Sequence, residues 1–268
     1  MQHWYPYMEF GAVEIAPIVD PAVREQARAL IAAAELQVVY LPILPIIIED
    51  LGLGSPDDGA RRHAQGRLRA LIDEAIALDA PLAMITGPRD PGPAEREATL
   101  ERLVADLRAL CDYADARSGC RRLHLTFENF DREIEKKRLV GPTSEAVALI
   151  EAIDRPNIGI TVDLSHLPLL GEAARHALTT AAPHLIHAHI GNCVADHPLG
   201  SNGLPQVVEC LEQLHAVGDW ERARSRLGGT PILSMELKAS EGESSATLLS
   251  NGKRVFTRAW AIAARSVA

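Results

Sequence analysis

Apolar and polar positions follow two rhythms along this chain. Short apolar runs rich in β-branched residues alternate with longer stretches whose apolar residues recur every three to four positions. The first kind reads as buried strand and the second as amphipathic helix. GAVEIAPI (11–18) predicts a strand, and Asp20-Pro21 then open a helix to about 35, with Asp as the cap and Pro at the first helical position. LQVVYLPI (36–43) is the next strand, followed by a Gly/Pro/Asp loop and a helix over about 59–79. PLAMITGP (81–88) is a strand, with a Pro/Gly loop and a helix over about 94–117 behind it. The pattern then repeats. RRLHLTFENF (121–130) precedes a helix over 143–153, and NIGITVDL (157–164) precedes one over about 172–182. LIHAHIGN (185–192) precedes a helix over about 205–227, and PILSMELK (231–238) precedes one near 244–264.

Seven strands, each with a helix after it, imply an α/β fold with a parallel sheet. So many βα units favour a closed barrel over an open doubly wound sheet. No glycine-rich phosphate fingerprint follows any strand, which counts against a dinucleotide-binding fold. The expectation is a single domain over 1–268, a (β/α)8-type TIM barrel that lacks or truncates its first βα unit. Only MQHWYPYMEF precedes the first strand, enough for a short strand but not for a helix as well.

Composition narrows the function. The chain has 268 residues and a net charge of −9. That balance is a poor match to nucleic acid or an anionic membrane. The longest apolar stretch, VVYLPILPIII (38–48), is too short to span a bilayer and holds two prolines. No basic, apolar leader opens the chain. Cys111, Cys120, Cys193 and Cys210 show no CxxC spacing and read as reduced thiols, so a cytoplasmic location is expected.

In parallel βα barrels chemistry gathers where the strands end. The fourth predicted strand ends in Glu128, the fifth in Asp163, the sixth in His187 and His189, and the seventh in Glu236. Side chains alternate faces along a strand. His124, Thr126 and Glu128 therefore share one face, as do Thr161 with Asp163, His187 with His189, and Ser234 with Glu236. One such residue alone is more often a cap, an ion-pair partner or a satisfied core histidine. Four strands in phase are harder to explain that way, since converging buried carboxylates repel one another unless a cation lies between them. Three carboxylates and an imidazole form a hard set that suits Mn²⁺, with Mg²⁺ or Co²⁺ as alternatives; Zn²⁺ fits less well without a thiolate.

The stretches FENFDREIEKKRLVGP (127–142), VDLSHLPLLGE (162–172), HAHIGN (187–192) and SMELK (234–238) resemble the sugar phosphate isomerase/epimerase family, which has the xylose isomerase-like barrel. The resemblance implies that Glu128, Asp163, His189 and Glu236 bind the metal, that His166 contacts a substrate oxygen, and that His187 sits behind the ligands. It also implies that Glu128 and Glu236 act as acid and base on opposite faces of an enediolate. The substrate would be a small sugar or sugar derivative, and self-association is common among such relatives. Three features depart from the pattern: Ala195 stands where epimerase relatives carry arginine, the loop after HIGN is short, and the first βα unit is absent.

Smaller candidates carry two readings each. Asp131 and Glu133 would meet substrate hydroxyls or belong to a solvated loop. Lys136 and Lys137 would hold a phosphate or sugar oxygen or sit on a charged loop. Glu14 would line the mouth or be structural, and Trp4 and Tyr5 would form an apolar wall. Rival functions are a lyase or dehydratase on an oxidised sugar, an apurinic-site endonuclease, and a non-catalytic barrel subunit. The endonuclease needs many more strand-end histidines than this acidic chain has.

Overall fold

The computed structural model describes residues 10–119, 122–191, 204–229, 231–237, 242 and 244–266, with backbone alone for Asp219 and Trp220. The N-terminal stretch with Trp4 and Tyr5, and the loop with Asn192, Cys193 and Ala195, lie outside those residues, as do Cys120 and Lys238. The chain divides into two compact units, Phe10–Thr161 and Val162–Ala268, and the division falls inside one strand.

The first unit carries β1 (Ala12–Ile15), α1 (Pro21–Ala33), β2 (Gln37–Tyr40), α2 (Ile43–Ile48), α3 (Asp58–Ala77), β3 (Leu82–Ile85), α4 (Arg96–Ser118), β4 (His124–Glu128), α5 (Thr143–Ile153) and most of β5 (Ile158–Asp163). Its strands lie side by side in chain order, all parallel. Val39 faces Leu82, Leu82 faces His124, and Glu128 faces Thr161. Asp20 caps α1 through Oδ1, which accepts from the Ala22 and Val23 amides, and Asp57 caps α3. Leu68, Leu71, Ile72 and Ala75 of α3 and Leu103, Leu107, Leu110 and Ala114 of α4 are buried at helical spacing. The two helices pack together over strands that are themselves buried.

The second unit completes β5 and adds α6 (Leu167–Leu170), α7 (Ala174–Ala181), β6 (Leu185–Ile190), α8 (Leu204–Ala216), α9 (Asp219–Leu227), β7 (Ile232–Met235) and α10 (Ser245–Ser266). β6 and β7 are parallel, with His187 opposite Ile232 and His189 opposite Ser234. α8 packs on α7 and α10, and α9 packs on β6.

The seven predicted strands are all present, each followed by helix. Two details differ. The strand expected over 36–43 stops at Tyr40, because Pro42 has no amide to donate; the apolar run continues as α2, with Pro45 tolerated in the first turn. The helix expected over 205–227 breaks in two at Gly218, whose φ of 64° suits a glycine and ends α8. Cys111 and Cys210 are buried. Burial pushes the Cys111 thiol up to about 12. No described helix is long and apolar enough to cross a membrane.

The loop after β4 is built, not slack. The Phe130 amide donates to the Val140 carbonyl, and the Arg138 amide donates to the Asp131 carbonyl. Asn129 Nδ2 donates to the Gly141 carbonyl at 2.6 Å. The buried Asp131 carboxylate accepts from the amides of Ile134, Glu135 and Lys136 at 2.6, 2.7 and 2.9 Å. Asp131→Ala leaves those amides without their acceptor. It is expected to lower the unfolding free energy by about 2–3 kcal/mol, measured by urea denaturation. Asp131→Asn, which keeps one acceptor oxygen, is expected to lose less.

Candidate active site

Asp163 is the last residue of β5 and is buried. The chain turns at once, and the turn is organised by that carboxylate. The Ser165 amide donates to Oδ1 at 2.8 Å and the Ser165 hydroxyl donates to Oδ2 at 2.7 Å. This is the turn that an Asp favours when it binds the backbone two residues on. The turn also brings His166 Nε2 to 3.3 Å from Asp163 Oδ2. The Leu164 amide donates to the His189 carbonyl, which anchors the turn to β6.

Two histidines of β6 face the same network. His187 Nδ1 lies 2.9 Å from the Ile232 carbonyl. A carbonyl only accepts, so Nδ1 carries the proton. Nε2 then accepts from the Ser234 hydroxyl at 3.4 Å. The His187 and His189 rings meet edge to face, with centroids 4.9 Å apart. His189 Nδ1 donates to Glu236 Oε2 at 3.2 Å. Glu236 follows β7 directly, and its amide donates to the Ile190 carbonyl. The backbone closes tightly around these groups at Gly191. A Cβ there would meet the Glu236 carbonyl at 3.1 Å and the Ser165 Cβ at 3.4 Å.

The two carboxylates titrate in opposite directions. Burial holds the Asp163 pKa above the ordinary carboxylate range, although His166 and His189 pull against it and the Glu236 charge adds to it. The hydrogen bond from His189 holds the Glu236 pKa below its ordinary value. Glu236 keeps 48% of its side-chain surface exposed, which eases its ionisation.

Glu128 belongs to the first unit. It is the last residue of β4, it is buried, and its carbonyl accepts from Thr86 Oγ1 at 2.8 Å. It pairs in register with Thr161, and β5 continues by two residues to Asp163. Thr126 and Thr161, both fully buried, share a 2.7 Å hydrogen bond one step earlier on that face. Glu133 and Lys137 are exposed in the loop after β4. Lys137 has a positive φ of 52°, and its carbonyl accepts from the Asp90 amide. Lys136 pairs with Glu135. Asp131, read above as a hydroxyl contact or a solvated loop residue, is buried and holds its own loop. Glu14 lies within β1 opposite Val39, one residue before the end of the strand.

The partners of Ser165, Ser234 and Gly191 were not read from the sequence, although Ser234 was placed on one face with Glu236. For Ser165 a signal existed, since Asp followed two residues later by Ser is an Asx-turn pattern. Ser234 and Gly191 gave none, because their roles depend on partners 47 and 45 residues away, His187 and Glu236 respectively.

These parallel strands, with acids and histidines at their ends, define an α/β barrel with a strand-end site. A family model described as xylose isomerase-like TIM barrel matches residues 5–243, and the chain belongs to that family. A D-psicose 3-epimerase of Ruminiclostridium cellulolyticum is 27% identical over 175 residues, which is 62% of this chain. The match spans 56% of that protein, a little over half its length. Among solved structures, the D-psicose 3-epimerase of Clostridium cellulolyticum H10, determined with D-tagatose, superposes with a TM-score of 0.75 at 19% identity. It covers 95% of this chain and 89% of its own. An L-ribulose 3-epimerase superposes with a TM-score of 0.77 at 18% identity, covering 96% of this chain and 86% of its own. Those structural likenesses establish the fold.

His187 supports the His189 ring and satisfies the Ile232 carbonyl. His187→Ala should therefore lower the unfolding free energy by about 2–4 kcal/mol, from the cavity and the unpaired carbonyl together. Urea denaturation of the metal-free protein measures it, and an unchanged midpoint would show that the ring is not structural.

Proposed function

We propose that this chain is a divalent-metal-dependent sugar epimerase or isomerase, acting at a carbon next to a carbonyl. The observation that carries the reading is the joined set of Asp163, His166, His189 and Glu236, two acids and two imidazoles held within hydrogen-bonding reach around a buried strand end. Relatives that are sugar 3-epimerases support it.

The donor set passes a simple chemical test for a cation. Asp163 is penalised as a buried anion, and Glu236 sits beside it. A divalent ion removes both costs, and oxygen-rich ligands favour Mn²⁺, with Mg²⁺ or Co²⁺ as alternatives. Asp163, His189 and Glu236 would hold it, joined by Glu128 from the end of β4. When bound, the cation polarises a substrate carbonyl and acidifies the neighbouring C–H. His166 would bind a substrate oxygen with its imidazole and fix the sugar's orientation. One of Glu128 and Glu236 takes the proton from carbon, and the electron pair moves into the carbonyl to give an enediolate. The other returns a proton to the opposite face, so mass is conserved. Ser165 donates to Asp163 and so sets the direction of its lone pairs.

Three measurements test this. Elemental analysis after addition of each ion in turn should find one divalent ion per chain, lost in Asp163→Ala/Glu236→Ala. Glu236→Gln should lower kcat for ketose epimerisation by about 10²- to 10⁴-fold, and full activity in that variant ends the acid/base assignment. Incubation in D₂O should place one deuterium on the inverted carbon. Loss of water or of another group would instead identify a lyase. Separately, Ser165→Ala is expected to weaken metal affinity about tenfold, read by competition with a chelating dye.

A further inference from the structure

The loop after β4 buries a cation that no carboxylate contacts directly among the described residues. Arg138 is 2% exposed, and its Nε and Nη1 find no hydrogen-bond partner among the described residues. Its neighbours are treated differently. Arg132 pairs with Glu145, Arg96 with Asp90, and Arg89 with Asp50. A guanidinium does not lose its proton, so a buried one keeps its charge and needs an anion.

The backbone makes the shortage worse. Residues Arg89 and Arg138 form an antiparallel bridge. The flanking bonds run from the Asp90 amide to the Lys137 carbonyl and from the Leu139 amide to the Pro88 carbonyl. That arrangement makes Arg89 and Arg138 a narrow, non-hydrogen-bonded pair, the kind that brings side chains closest. Like charges directly opposite are unfavourable, yet here two arginines stand opposite each other. Burial first, and the Arg89 charge next, hold the Arg138 pKa below its usual value, and Asp50 offsets this in part. Asp50 is itself exposed and bound to Arg89. The bridge joins the loops after β3 and β4, and Arg138 lies ten residues beyond Glu128, its amide bonded to Asp131. This is the end of the strands where chemistry gathers in such barrels.

We propose that Arg138, with Arg89 opposite, forms an oxyanion site that takes a phosphoryl or carboxylate group of the substrate. The two unused nitrogens lie on different edges of the guanidinium, and each can donate one charge-assisted hydrogen bond to an oxygen of either group. As a statement about substrate class, an acidic sugar, it rests on the epimerase reading above. As a statement about an anion site it stands alone.

The test titrates metal-free protein with inorganic phosphate, and separately with acetate, at constant ionic strength. Calorimetry and thermal melting report binding. Wild type should show saturable binding and a rising Tm. Arg138→Met, which keeps the length and removes the charge, should bind at least tenfold more weakly. In anion-free buffer it should melt no lower than wild type, because an unpaired buried charge has been removed. Arg89→Gln, a change at an exposed side chain, should weaken binding severalfold and keeps the test decisive if Arg138→Met fails to fold. Binding of phosphate alone assigns a phosphorylated sugar, and binding of both probes admits a sugar acid. No saturable binding in wild type, or equal binding in all three proteins, overturns the site. Metal uptake measured on the same preparations keeps the two readings apart, since it is expected to be unchanged in Arg138→Met.

Discussion

A carboxylate removed from water at the end of β5 is the constraint on which the candidate site depends. Left ionised and alone, Asp163 would be costly, and the donors around it reduce that cost. The Ser165 amide and hydroxyl occupy its two oxygens, His166 approaches from the same turn, and His189 and Glu236 follow from β6 and the end of β7. The opposed shifts of Asp163 and Glu236 have different causes: burial raises the one, and the hydrogen bond from His189 lowers the other.

Around this group the backbone leaves little freedom. The Leu164 amide is tied to the His189 carbonyl, and the Glu236 amide to the Ile190 carbonyl. Gly191 admits the Glu236 carbonyl where a side chain would crowd it. His187 is held at both ring nitrogens, which fixes the edge against which His189 stands. Such support restrains these side chains, as the proposed metal site and proton transfer would require. The loop after β4 is ordered by the same means, with Asp131 serving three amides.

A TM-score of 0.75 at 19% identity shows how little of a barrel's sequence its fold demands. The demand is for buried strands with helical partners, and many apolar residues meet it. Chemistry demands more, and it falls on a few positions at strand ends. Glu128, Asp163, His189 and Glu236 stood out because they fall in phase at strand ends in a chain otherwise ordinary in composition.

The order of strands and helices, the strand ends and the acids and histidines placed there were legible in the sequence, because periodicity and punctuation are local properties. Pro42 and Gly218 were local too, and they explain where the expected boundaries moved. What the sequence did not reveal depends on distant partners. Ser234 acquires its role from a histidine on the neighbouring strand, and Gly191 from a carbonyl that only the fold brings near. Asp131 looked like a loop residue facing solvent until the loop closed over it. Arg138 was one of many charged residues in a charged loop, and only the tertiary structure buried it opposite another arginine without a carboxylate. Burial and pairing are set by the whole chain, and they decide whether a charge is solvated, satisfied or left in need of a partner.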